Sequence, residues 1–179
     1  MSLLKELMKG TTQEKAFEFF DSLPPADEDF MKGLWEGYEL PSGHPMDGLL
    51  SMVPWYGKCF SDPENVHPLV MKDKKGFLFF ADPDPLLKFA DLASCVRCRP
   101  ENIDPHIFDG VLKFFSTRRS RARLREIKYR GVTTAAMVYD HLQIIDVFRK
   151  VNKNTVVGVM DFKGRMHDKG YFFVLRRRK

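Results

Sequence analysis

The sequence predicts a mainly β protein with accessory helices: an antiparallel, calycin-like β-barrel of about eight to nine strands. Three observations carry that reading. Gly33-Leu34-Trp35-Glu36-Gly37 sets one large ring between two glycines, which suits a strand where backbones approach closely and an indole supplies the apolar area. The last third of the chain alternates strand-like runs with Gly and Asn turns. The chain also holds 16 Phe against 5 Tyr and 2 Trp, and so many rings call for a closed interior.

The elements follow in order. Leu3, Leu4, Leu7 and Met8 keep helical spacing up to Gly10. Thr11 with Glu14 reads as a capping box opening a second helix, whose face is Ala16, Phe17, Phe19 and Phe20 and which Pro24-Pro25 ends. A turn over Asp27 to Met31 leads into the Trp35 strand. Residues 44–53 form a loop and a short helix, with Met46, Leu49, Leu50 and Val53 on one side. Strands are expected over Trp55–Phe60, Val66–Met71 and Phe77–Phe80, the last two joined by the polar turn Lys72 to Gly76. Pro83, Pro85, Pro100 and Pro105 mark an irregular crossover with short helices near Leu86–Leu92 and Ile107–Phe115. Arg121–Tyr129, Val132–Tyr139, Ile144–Val151, Thr155–Phe162 and Tyr171–Leu175 complete a meander.

At 179 residues the chain can bury a full core without disulfides. No apolar run approaches the ~20 residues of a membrane span, and Met1 to Glu6 lacks a signal-peptide apolar stretch. Three cysteines cannot all pair within one chain, which points to the cytoplasm. Cys95-Val96-Arg97-Cys98 is a single Cys-x-x-Cys, and Cys59 and His106 stand at spacings that do not complete a zinc set, so no metal is expected. The net charge of +5 gathers in Arg118–Arg125 and Arg176–Lys179. Such runs either bind phosphates or nucleic acid or, the reading favoured here, form a solvated strand edge and a terminal tail. Phosphate-cradling Gly loops, serine elbows and His-Glu-x-x-His are absent from the sequence, so nucleotide cofactors, serine hydrolysis and zinc proteolysis lack support.

Two stretches resemble known domains. Residues 33–70 contain Gly-Leu-Trp-Glu-Gly, Glu-Leu-Pro-Ser-Gly-His-Pro-Met-Asp-Gly-Leu-Leu, Trp-Tyr-Gly-Lys and Val-His-Pro-Leu, which together resemble the small GXWXG domain. Residues 121–175 contain Ala-Arg-Leu-Arg, Tyr-Arg-Gly-Val, Ala-Ala-Met-Val-Tyr-Asp, Ile-Ile-Asp-Val-Phe-Arg-Lys-Val, Asn-Thr-Val-Val-Gly-Val-Met-Asp and Tyr-Phe-Phe-Val-Leu. These are similar to the domain of unknown function that usually follows GXWXG in bacteria and fungi. The resemblance brings no assigned activity. A Gly-x-Trp on the first strand is also similar, in fold type, to lipocalin and nitrobindin barrels. The expected layout is a helical segment over 1–31, the GXWXG half of a barrel over 32–81, a Pro-rich crossover over 82–120 and the second half over 121–179.

Polar candidates follow from spacing. His44-x-x-Asp47 and His67 offer an imidazole and a carboxylate for general base work, or, for His44 and Asp47, hydrogen bonds that pin the loop after the first strand. Tyr56 and Lys58 alternate along one strand and so share a face, where an inward Lys58 would meet a ligand carboxylate. Asp146 lies among Ile144, Ile145, Val147 and Phe148 and must be paired there, with an Arg as the expected partner. A five-coordinate haem would need His67, His141 or His167 as its axial ligand, and this ranks below a plain ligand pocket.

The leading expectation is a cytoplasmic barrel that binds a small hydrophobic molecule with a polar or acidic end, with no cofactor. Trp35, Phe79, Met137, Val159 and Phe173 are the expected apolar lining, and Tyr56, Lys58, Arg125 and Tyr139 the polar end. The runner-up is an isomerase, lyase or hydrolase on the same barrel, with His67 or His44 and Asp47 as its base. A phosphate- or nucleic-acid-binding module on the Arg118–Arg125 run comes third.

Overall fold

Helices come first in the computed structural model, which describes residues 2–85, 109–164 and 169–178. Helix α1 spans Ser2–Leu7, α2 Gln13–Ser22 and α3 Glu28–Met31. Thr12, rather than Thr11, caps α2, its hydroxyl accepting the Lys15 N–H. Asp27 caps α3 through the Phe30 N–H. The strands are β1 Gly33–Glu39, β2 Trp55–Asp62, β3 Asn65–Lys72, β4 Leu78–Phe80, β5 Ala122–Tyr129, β6 Val132–Tyr139, β7 Ile144–Asn152, β8 Thr155–Phe162 and β9 Tyr171–Arg177. A 3-10 turn covers Leu50–Met52, and helix α4 covers Asp109–Phe114. The helix expected near Leu86–Leu92, Cys95, Cys98, His106 and His167 lie outside the described residues.

All strand pairs are antiparallel, and the sheet closes. Its order runs β2-β1-β9-β8-β7-β6-β5-β3-β4, and β2 also pairs with β3. Eight strands thus form a barrel of sequential neighbours, with β4 as an extra strand on the edge of β3. The fold is therefore mainly β with accessory helices, an antiparallel barrel of the class expected above. The two arcs β1–β3 and β5–β9 meet at two seams. β1 and β9 share five register pairs, from Trp35↔Arg177 to Glu39↔Phe173. β3 and β5 share the single pair Val66↔Ala122. Pro68, which has no N–H to give, sits where β3 leaves β5 and begins to pair with β4 at Val70↔Phe80.

Alternation divides the apolar residues into two layers. Inside the barrel lie Trp35, Phe60, Val66, Leu124, Met137, Phe148, Phe173 and Leu175. Outside, α1 and α2 lay Leu4, Leu7, Ala16 and Phe20 over Ala136, Val147, Val157, Val159, Phe172 and Val174. Gly158 shows how tightly the interior is filled, because a Cβ there would stand 2.3 Å from the Phe173 ring. One barrel end is stoppered by α3: the Arg177 guanidinium lies 4.2 Å over the Trp35 ring and donates to the carbonyls of Phe30 and Lys32. The Trp35 indole N–H donates to Met31 O at 2.7 Å.

Candidate functional site

The other barrel end is polar. The β1 C-terminus, the β2 N-terminus and the β9 N-terminus all open there, under the loop that runs from Leu40 to Pro54. Met46, Leu50, Leu142 and Phe162 pack over it against the interior cluster. Glu39 ties the cover down: its carboxylate accepts the Leu50 N–H at 2.9 Å and the Tyr171 hydroxyl. Burial and the Glu39 charge push the Tyr171 phenol far above its ordinary value. Asp47 organises the loop itself, one carboxylate oxygen accepting the N–H groups of Ser42, Gly43 and His44 at 2.8–3.0 Å. His44 Nδ1 accepts the Met46 N–H, and its ring stands 5.5 Å from Tyr171.

Beneath this cover Lys58 reaches across the barrel from β2 to Asp146 on β7, with Nζ 2.7 Å from Oδ2. The two residues are 4 % and 1 % exposed. The contact is a buried ion pair, and the Tyr139 hydroxyl stands beside the same carboxylate. Lys58 Nζ has a long contact of 3.4 Å to the Pro68 carbonyl. Three rings surround it, Phe173 at 5.1 Å, Tyr139 at 5.8 Å and Trp55 at 5.9 Å from their centroids. Burial pushes the Asp146 carboxyl above its ordinary value, and the Lys58 ammonium opposes that shift. Burial and the Asp146 charge push the Tyr139 phenol well above its ordinary value. The ladder Met137–Asp146–Met160–Tyr171 sets this pair level with the Glu39–Tyr171 contact.

The Lys58 orientation depends on a bulge. Register shifts flank Gly57, whose φ is +154°, so Tyr56 and Lys58 fall on opposite faces. The shared face expected from simple alternation is corrected here: Tyr56 faces outward beside Glu36, while Lys58 faces in. The Arg partner expected for Asp146 is also corrected. Arg149 alternates to the outer layer, donates to Leu23 O and Tyr129 O, and lies 5.3 Å over the Phe20 ring. Lys58 fills the role instead.

The other sequence candidates scatter. Trp35, Met137, Tyr139 and Phe173 face the interior. Val159 lies outside, under the helices. Phe79 packs outside the barrel against the Met71–Ala81–Leu112 cluster. Arg125 also points outward, to Glu64 at 2.5 Å. His67, opposite the outward Cys59, stacks on Phe80 at 3.7 Å, and burial pulls its imidazole below its ordinary value. His141 is exposed in the β6–β7 turn. Within the basic run, Arg121 pairs with Asp82, Arg123 with Asp140 and Arg125 with Glu64. Among the described residues no cluster of three His, Cys, Asp or Glu is placed to hold a metal, and no helix is long and apolar enough to cross a membrane.

Trp55, Glu39 and Tyr171 belong to the site and carry no signal in spacing alone. Trp55 connects the pair to the surface. Its ring packs edge-on against Phe173 and also lines a groove of about 420 Å³ with Glu36, Gly37, Val53, Pro54 and Lys72. Gly37 makes room for it, since a Cβ there would stand 2.1 Å from the ring. Gly37→Ala is therefore expected to swing Trp55 outward. Tryptophan emission should shift to the red, an effect absent in a Trp55→Phe background, with a stability loss of about 1–3 kcal/mol. An unshifted spectrum would show that the ring tolerates the methyl.

Comparison with known proteins agrees with this architecture. Residues 18–76 match the family described as GXWXG protein, and residues 120–177 match the Domain of unknown function (DUF4334). The chain is similar to a solved structure titled "Crystal structure of protein from Thermomonospora curvata", with 30 % identity, a TM-score of 0.69 and coverage of 100 % of both chains. Among curated proteins none matches. The GXWXG match spans α2 to β3 and supplies Lys58, and the second match spans β5 to β9 and supplies Tyr139 and Asp146. The chain belongs to the family in which a GXWXG segment is followed by a DUF4334 domain, the two closing one barrel.

Proposed function

We propose that the protein binds a small, largely hydrophobic molecule through a polar or acidic head seated on Lys58, Asp146 and Tyr139, in the cytoplasm. The buried Lys58–Asp146 pair carries this reading. The ammonium, the carboxylate and the neighbouring Tyr139 phenol stand together where water is excluded, and such a polar group set suits a polar guest. Stability alone does not call for such a pair, since apolar side chains of similar volume commonly serve as well. The barrel centre is occupied by Trp35, Phe60 and Phe148, so the apolar part of the guest must displace the Met46, Leu50, Leu142 and Phe162 cover from the interior cluster. Burying about ten methylenes at ~0.8 kcal/mol each supplies roughly 8 kcal/mol before association costs, which supports micromolar binding. The half-buried free thiol of Cys59, raised by burial, suits a reducing compartment.

Native mass spectrometry of protein purified from its own host tests the reading directly. A retained small molecule that is lost on Lys58→Met supports it. A chain that emerges bare and shows no tryptophan response to medium-chain acids, alcohols or aldehydes overturns it.

Charge balance adds a pH dependence. The empty pair is neutral, so a carboxylate guest adds one uncompensated negative charge in a buried place. Asp146, already shifted toward its protonated form, then takes up a proton. Binding of a medium-chain fatty acid should therefore consume about one proton per site and tighten as pH falls. Calorimetry in buffers of different ionisation enthalpy checks this, and a buffer-independent heat would count against Asp146 as the acceptor.

One observation favours the enzymatic alternative. A carboxyl lifted by burial beside a phenol is suited to moving a proton on a bound molecule, so Asp146 rather than His44 or His67 would be the base of an isomerase or lyase.

A further inference from the structure

Resting on that binding reading, we propose that Lys58 is a covalent anchor: the guest's polar head is an aldehyde or ketone, held reversibly as an imine on Nζ. Three features of the structure point there. Nζ is enclosed by the rings of Trp55, Tyr139 and Phe173, which suit an apolar carbonyl compound and exclude bulk water. Its contact with backbone is a long 3.4 Å, so the amine is not fully committed to structure. Asp146 stands 2.7 Å away, near enough to receive a proton from Nζ and then to serve as counter-ion to its cationic product.

Charge decides between classes of head group. An imine that keeps its proton carries the same single positive charge as the ammonium it replaces. The Lys58–Asp146 pair therefore survives the reaction with no net change. A carboxylate guest breaks that balance unless a proton arrives with it, and an alcohol leaves the amine unused. The steps close in atoms. Nζ gives one proton to Asp146, and its lone pair forms a bond to the carbonyl carbon while the C=O electron pair moves to oxygen. The oxygen receives the proton held by Asp146. A further proton transfer from nitrogen to oxygen and loss of water leave C=N, with one proton kept on nitrogen. Ammonium plus carbonyl thus becomes iminium plus water, and Asp146 ends as it began. Trp55 stands between this centre and the groove beside Lys72, so its ring must move to admit the carbonyl compound and release the water.

The test uses the full chain, decanal as the probe and cyanoborohydride as the trap. Peptide mapping after brief exposure should place the reduced adduct on Lys58 at least tenfold above any exposed lysine, saturating with decanal and competed by decanol. Lys58→Arg keeps a cation for Asp146 and should abolish that adduct. If the arginine variant fails to fold, the mapped site in the unaltered chain decides alone. Adducts spread over exposed lysines, with decanal still changing tryptophan emission, would overturn the anchor and leave the binding reading standing. Absence of any response to decanal, decanol or decanoate would overturn both.

Discussion

Gly57→Ala is expected to prevent the barrel from closing. A Cβ at this position would stand 1.9 Å from the Trp35 carbonyl oxygen and 2.9 Å from the Gly37 amide nitrogen. Both are backbone atoms of β1, held by the pairs Trp35↔Lys58 and Glu36↔Gly57, so no side chain can turn aside. The φ of +154° adds a conformational cost for any L side chain. Relief requires β1 and β2 to part. We expect a loss of at least about 3–5 kcal/mol, a large share of a typical domain's total stability. The measurement is the urea midpoint, or soluble yield where the variant does not fold. Gly110→Ala is the control, because its Cβ meets nothing within 4 Å and its helix accepts alanine. A Gly57→Ala midpoint equal to that of the control would refute the close approach.

Lys58 and Asp146 supply the second large effect. Either partner truncated alone strands a charge in a dry interior, so Lys58→Met and Asp146→Leu should each cost about 3–5 kcal/mol. The double variant removes both charges and should recover most of that loss, giving a coupling energy of about 3 kcal/mol or more. pH separates this cause from simple packing. Asp146 has a raised value in the folded state, so it favours folding while protonated, below its ordinary 3.8, and that contribution fades as pH climbs through the raised value. Without the Lys58 ammonium the rise is larger. The Lys58→Met deficit should then nearly vanish in acid and grow toward neutrality. Asp27 and Asp73 have the opposite sign. Hydrogen bonds from Lys150 and Lys113 hold them below 3.8, so their stabilisation is present above that value and is lost on acidification. Comparing variant with parent at each pH cancels those two. A deficit that stays constant from about pH 3 to about pH 8 would sink the ion-pair account.

Much of the fold was legible because its signals are local. The Lys72–Gly76, Asn152–Asn154 and Lys163–Gly164 turns separate strands whose alternation is visible residue by residue. The site was harder to read because it depends on register. Alternation along Trp55-Tyr56-Gly57-Lys58 assigns Tyr56 and Lys58 one face, and the bulge at Gly57 reverses that. The glycine inside a strand was the available hint. Asp146 was legible as a buried charge among aliphatic neighbours, but its partner was not. Arg149 is three residues on and therefore on the other face, whereas Lys58 comes from a strand four places around the barrel. Hydropathy alone places Val159 and Phe79 in the interior. The barrel has apolar residues on its outer face both where α1 and α2 cover Val159 and where Phe79 packs with Met71, Ala81 and Leu112, so hydropathy there does not distinguish inside from outside.

The contact at Val66 and Ala122 gives the closed wall a built-in latch. Hoops made of evenly paired strands have no preferred place to part, but this one does, directly where the two domain types abut. Held by that pair and by the Arg121 and Leu124 amides on Val66 O and Pro63 O, the seam is where local opening is expected before the five-pair β1–β9 ladder.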